Sequence, residues 1–241
     1  MCANRPYLLL GNIFGLFFFV TIQFKGKTTW LTNLLIEREY HFKQRITKIV
    51  YFYKESCKSI EKLKVDLAKE RGLEAVFSKK FPDGNFLEYC NLEQNATVIV
   101  IDDYFWDAST NKTVQSSLIS LSTVWNHHKG AVTFLCMHSY DIFKKQSKLN
   151  VILMNSSHLI FFKTAHDARA AKRLMGQYML NLKGGQTLFD VYKQQVLGKN
   201  FSYIIVSLSP LNLKPSVWGQ VLLAEESPML CFNESSDSED E

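Results

Sequence analysis

The sequence predicts an α/β fold: a mostly parallel central sheet with helices on both faces. Three observations carry that expectation. Short β-branched and aromatic runs alternate with helix-patterned segments along the chain. Several runs, "VIVI" (98–101) and "AVTFLCM" (131–137) among them, are apolar without alternation, as strands buried on both faces are. The first of these ends in the paired carboxylates Asp102 and Asp103, downstream of a Gly-Lys-Thr, and that pairing points to phosphate chemistry at one edge of a sheet.

The N-terminal element has more than one reading. "YLLLGNIFGLFFFVTIQF" (7–24) is an apolar run of about eighteen residues behind Arg5, near the lower limit for a membrane span. Asn12, Thr21, Gln23 and two glycines interrupt it, and no small-residue cleavage site follows. "IFGLFFFV" (13–20) reads as the buried strand that precedes a phosphate loop. The alternatives are a membrane or targeting segment over 7–24, or an N-terminus foreign to the native fold.

The rest of the pattern is regular. "TTWLTNLLIERE" (28–39) sets Leu31, Leu34, Leu35 and Arg38 at helical spacing. "RITKIVYFY" (45–53) is a strand. "SIEKLKVDLAKERG" (59–72) aligns Ile60, Leu63 and Leu67 on one helix face, with Gly72 as its stop. "LEAVFSK" (73–79) is a weaker strand before the turn "FPDGN". "ATVIVIDDYF" (96–105) follows, then a helix marked by Val114, Leu118, Leu121 and Trp125. Strands over 131–137 and 158–163, helices over 166–180 and 187–197 parted by Gly184 and Gly185, and a strand over 201–209 complete the series. There is no internal repeat. The reading divides the chain into a segment of uncertain order (1–12), one α/β domain (13–212) and an acidic, disordered tail (213–241) that ends in "NESSDSEDE". Its serines among acids are phosphorylation candidates.

Charge is unevenly spread. The chain has 28 basic and 23 acidic residues, but Glu225 to Glu241 hold seven of the acids and no Lys or Arg. Residues 1–224 therefore carry 28 positive against 16 negative charges, a net +12, which suits a polyanionic partner as well as scattered solvated lysines. Five cysteines without a C-x-x-C pair argue for a reducing compartment and against a disulfide framework or zinc ribbon.

"VTIQFKGKTTWLTNLL" (20–35) ends as a phosphate-binding loop ends. Gly26, Lys27 and Thr28 supply the last three positions of G-x-x-x-x-G-K-[ST], while Thr21 stands where the first glycine belongs. In this reading Lys27 reaches the β- and γ-phosphates, and the Thr28 hydroxyl ligates Mg²⁺. Backbone N–H groups at the helix start, at Gly26 to Thr29, face the anion. Thr21, Ile22 and Phe24 are bulky where a wrapping loop wants small residues. "VIVIDDYF" has the Walker B pattern, with Asp102 for the Mg²⁺ shell and Asp103 as the catalytic carboxylate that orients or deprotonates water.

From about residue 45 to residue 209 the chain resembles the FtsK–HerA class DNA-packaging ATPases of Maverick/Polinton and related adenovirus-like elements. The resembling stretches, in order, are "ITKIVYFYKE", "FPD", "VIVIDDYF", "NHHKGAVTFL", "LMNSSHLIFFKTAHD" and "YIIVSLSP". The resemblance implies a RecA-like P-loop NTPase fold, ATP and Mg²⁺ as cofactors, a homo-oligomeric ring, double-stranded DNA and capsid or portal proteins as partners, and an intracellular, nuclear or virion-associated location. A membrane is not among the implied partners.

The match departs from the family pattern at several working positions. Cys136, Met137 and His138 stand where the family has Thr-Gln-Asn, and Met137 lacks the amide of the glutamine that senses the γ-phosphate. Asn150 takes the place of an arginine, a candidate trans-acting finger, with Lys148 the nearest cation. Asn155 and Lys163 do match. The run "GLFFFVTIQF" reads unlike the strand and loop expected there, as a replaced or degraded start would. The pattern implies a retained fold with an impaired motor, and the alternative function is an inactive remnant that binds nucleic acid or protein. His127 and His128 read as a surface pair; with Cys136 and His138 they make no recognised zinc spacing. Arg169, Lys172 and Arg173 share a helix and fit either phosphate contact or a solvated face.

Overall fold

The computed structural model describes residues 15–20, 27–42, 45–81, 96–125, 131–137, 147–162, 168–176, 187–197, 203–207, 217–223 and 230–233. Among these, nine strands form one sheet: β1 (Gly15–Val20), β2 (Ile46–Tyr53), β3 (Glu74–Ser78), β4 (Ala96–Asp102), β5 (Ala131–Met137), β6 (Ser156–Phe162), β7 (Tyr203–Ser207), β8 (Val217–Leu223) and β9 (Leu230–Asn233). The helices are α1 (Lys27–Ile36), α2 (Arg38–His41), α3 (Lys58–Leu67), α4 (Phe105–Thr110), α5 (Lys112–Ser120), α6 (Asn150–Met154), α7 (Ala168–Met175) and α8 (Leu188–Tyr192).

The strand order is β3-β2-β4-β5-β1-β6-β7-β8-β9. From β3 through β6 every pairing is parallel. The pairings β6–β7, β7–β8 and β8–β9 are antiparallel. The expected mostly parallel sheet is therefore present, with an antiparallel flank that the apolar pattern of "YIIVS" does not announce. β8 and β9 lie within 213–241, so part of the stretch expected to be a disordered tail is instead paired into the sheet; the acid-rich end, 234–241, is outside the described residues.

β1 corrects one N-terminal alternative. Gly15–Val20 is bonded on one side to β5 and on the other to β6, so this part of the 7–24 run is an internal strand and not a membrane-crossing helix. No helix among the described residues is long and apolar enough to cross a membrane. Residues 7–14 and 21–24 lie outside the described set.

Strand periodicity sorts the core into two layers. Ile49, Tyr51 and Tyr53 of β2, Val98 and Val100 of β4, and Val132, Phe134 and Cys136 of β5 pack with Leu31, Leu34 and Leu35 of α1 and Ile60, Leu63 and Leu67 of α3. The intervening residues Val50, Phe52, Ile99, Ile101 and Leu135 pack with α4 to α8 on the other face. Helices thus cover both faces, as buried parallel strands require.

Local chemistry fixes several helix ends. The Asn111 side chain accepts from the Thr113 and Val114 N–H groups at 2.9 and 3.3 Å and starts α5. Thr187 and Asp190 form a reciprocal capping box at the start of α8. α5 runs on into a π-type turn, Leu121–Trp125, where the Ser122 and Thr123 hydroxyls each donate to the Ile119 carbonyl at 2.8 Å.

Candidate nucleotide site

Parallel strands end together at one edge, so whatever their last residues carry is delivered to one place. In this chain β4, β5 and β1 are neighbours in that order. Val20 is in register with Met137, and Cys136 with Asp102, so the three strands finish level. The lysine helix α1 starts at that edge. β1, which leads toward Lys27, is separated from the acid-bearing strand β4 by the single strand β5.

Asp102 shares the parity of Val98 and Val100, which turns its side chain to the α1 face. There it is buried at 4% exposure. The Thr28 hydroxyl of α1 donates to its Oδ2 at 3.3 Å, and the Tyr51 phenol of β2 donates to the same oxygen at 3.0 Å. An ionised carboxylate only accepts, so both hydroxyls must act as donors here. Burial, then the Asp102 charge, pushes the Tyr51 phenol well above its usual range and keeps it protonated. The same causes in the same order raise the Cys136 thiol well above its usual range. Tyr51 and Cys136 flank Asp102 from the two neighbouring strands.

Asp103 has left the strand. Its backbone lies in the left-handed region with φ 67°, a conformation that Asp and Asn tolerate better than other side-chain-bearing residues. The turn brings its carboxylate back toward α1, where Lys27 Nζ lies 3.7 Å from Asp103 Oδ1. The Lys27 side chain is 5% exposed and that of Asp103 35% exposed, so the pair sits at the mouth of the edge.

Five of the six predicted site residues can be placed. Lys27, Thr28, Asp102 and Asp103 converge, although Thr28 and Asp102 are 74 positions apart. The Thr29 side chain turns instead to α3, where its hydroxyl lies 3.2 Å from that of Ser59. Gly26, with the rest of residues 21–26, lies outside the described residues. Met137 ends β5 beside Val20. Asn150 is exposed at the start of α6, and Lys148 is exposed just before it. Asn155 closes α6 by donating to the Val151 carbonyl at 2.8 Å, a helix-end role. Lys163, His127, His128 and His138 fall outside the described residues.

The donor set fits a magnesium–triphosphate group by its chemistry. A hydroxyl and a carboxylate are hard oxygen ligands of the kind magnesium takes, and a buried ammonium beside them suits phosphate. With its proton on Asp102, the Thr28 oxygen keeps its lone pairs for a cation. No cluster of three His, Cys, Asp or Glu side chains suited to a metal exists among the described residues.

Reading the sequence for motifs misses Tyr51, and it marks Cys136 only as a departure from the family pattern. Tyr51 reads there as one of several strand aromatics. Its signal is parity: Tyr51, like Asp102, falls on the face that packs against α1 and α3.

The sequence matches no family model and no curated protein. The structure is similar to the cytoplasmic domain of the Thermomonospora curvata type VII secretion ATPase EccC, with TM-score 0.50 and 14% identity over 94% of this chain. EssC (ATPases 2 and 3) from Geobacillus thermodenitrificans gives TM-score 0.44 and 11% identity over 95% of this chain. The match spans only 26% of the EccC chain and 41% of the EssC chain. What the chain shares with the EccC domain is the fold, an α/β architecture with a mostly parallel central sheet and helices on both faces.

Proposed function

We propose that this chain is an ATP-dependent translocase subunit of the FtsK–HerA class, working on double-stranded DNA as the packaging motor of a Maverick/Polinton-type element. One observation carries the nucleotide part of this reading: the Thr28–Asp102 hydrogen bond joins the end of the G-K-T signature to the end of the acidic strand. Lys27 would hold the triphosphate by charge. Thr28 and Asp102 would hold the Mg²⁺, which supplies charge neutralisation at the phosphates. Asp103, partly exposed and held by its turn near Lys27, would orient or deprotonate the attacking water. Residues from a neighbouring subunit would complete the site in a homo-oligomeric ring.

The DNA part rests on charge. Residues 1–224 carry a net +12, and Arg169, Lys172 and Arg173 are all exposed on α7. Capsid or portal proteins as partners, and an intracellular, nuclear or virion-associated location, belong to the same proposal.

A second reading is favoured by a specific placement. β5 runs between the two halves of the site and ends in Met137, which offers no amide at a level where the related motors carry a glutamine. Under this reading the chain is an inactive remnant that keeps the fold and binds nucleic acid or protein. Phosphate release from ATP by the wild type and by Lys27→Ala, with and without duplex DNA, separates the two. The motor reading expects wild-type turnover that the substitution abolishes. Wild-type turnover at the Lys27→Ala level, with DNA still bound, favours the remnant.

A further inference from the structure

The structure assigns Tyr51 as the residue that positions Asp102 for a divalent cation; the assignment rests on the nucleotide reading above. Three contacts lead to it. The phenol donates to Asp102 Oδ2 at 3.0 Å, closer than the Thr28 hydroxyl at 3.3 Å. The Tyr51 ring is held by burial, being fully enclosed in the core, and Phe77 is one of its neighbours, stacked with centroids 5.8 Å apart at 18°. It also meets the ring of Tyr53 edge-on at 6.2 Å. Tyr51 sits on β2, on the side of β4 opposite β5, so its phenol reaches Asp102 sideways from the neighbouring strand, on the sheet face that α1 covers.

The physical consequence concerns the oxygen that both hydroxyls share. A carboxylate oxygen has two lone-pair directions. At Oδ2 the Thr28 and Tyr51 hydroxyls both donate, and together they restrain the plane of the carboxylate. Without the phenol, Asp102 keeps its burial but loses one of the donors that hold its carboxylate. Partners of this kind, one bond behind a metal ligand, typically change metal affinity by about 10–100-fold when removed. A merely structural tyrosine would act through packing and leave the cation dependence alone.

The test is the Mg²⁺ dependence of ATP binding, measured by titration calorimetry on the full chain, without reliance on turnover. Tyr51→Phe keeps the stacked ring and removes only the hydroxyl. It is expected to raise the Mg²⁺ midpoint about tenfold, while ATP affinity measured in EDTA stays within about twofold of wild type. Phe77→Leu removes one stacking neighbour but keeps the buried ring and its hydroxyl on Asp102; it is expected to lower the melting temperature and leave the Mg²⁺ midpoint in place. A Tyr51→Phe midpoint equal to wild type overturns the assignment while leaving the nucleotide reading intact. So does a Phe77→Leu midpoint shifted as far as that of Tyr51→Phe, because packing then accounts for the effect. A wild type whose ATP binding ignores Mg²⁺ overturns the nucleotide reading and the Tyr51 assignment together.

Discussion

The Thr28 hydroxyl and the Asp102 carboxylate meet at 3.3 Å across 74 residues of sequence. The contact locks the first turn of α1 onto the end of β4, and it leaves the threonine oxygen able to accept a cation. Thr28→Val keeps the shape and removes the hydroxyl. MgATP affinity is expected to fall by about tenfold or more, from one charge-assisted hydrogen bond and one ligand lost. Thr28→Ser is expected to stay within about threefold, the hydroxyl being retained. Calorimetric titration with MgATP reads both.

Asp103 combines a chemical role with a constrained backbone. Asparagine tolerates φ near 67° and so preserves the turn. Asp103→Asn should bind MgATP nearly as wild type and lose turnover by about 10²-fold, the contribution of a positioned general base. Asp103→Ile should add a stability loss of roughly 1–2 kcal/mol, because a β-branched side chain resists the left-handed region. Equal melting temperatures for the two variants would show that this backbone position is not strained.

Arg38 and Glu70 tie α2 to the segment that follows α3. The Arg38 side chain is 6% exposed and bonds both Glu70 carboxylate oxygens; its Nη1 also donates to the Leu35 carbonyl at 3.2 Å. Glu70→Ala leaves that guanidinium buried without its counter-ion. Breaking a fully buried pair costs about 3–5 kcal/mol; with Glu70 one-third exposed, about 2 kcal/mol is expected here. That corresponds to a fall of roughly 4–8 °C in Tm for a domain of this size, read by thermal unfolding.

His158 makes the fold acid-sensitive. It lies in β6 at 5% exposure, and burial lowers its pKa from 6.5 to about 4. Between those values the unfolded chain binds a proton that the folded chain does not. Stability therefore rises with pH from about 4 to about 6.5 and falls as the solution is acidified. The slope from this group is roughly 1.4 kcal/mol per pH unit. His158→Gln should flatten that part of the curve, and urea midpoints at a series of pH values would show it. An unchanged acid limb would assign the sensitivity to other groups.

Much of the fold was legible because burial leaves a period. Leu31, Leu34 and Leu35 mark α1, Ile60, Leu63 and Leu67 mark α3, and all six are buried. Val98 to Ile101 mark an internal strand and are all at 2% exposure or less. The direction of β7 was not legible, since "YIIVS" presents the same apolar surface whichever way it runs. Nor was the pairing of β8 with β7 inside a stretch that ends in acids.

The sequence by itself determined which side chains could do phosphate chemistry: an ammonium and hydroxyl at a helix start, and two carboxylates at a strand end. It did so because those types and their order survive as a local pattern. Only the tertiary structure decided that they meet. Parallel pairing levels the ends of β4, β5 and β1, and strand parity turns Asp102 toward α1. The same parity sets the Tyr51 phenol beside Asp102, a relation set by the register between strands and therefore absent from any single stretch of chain.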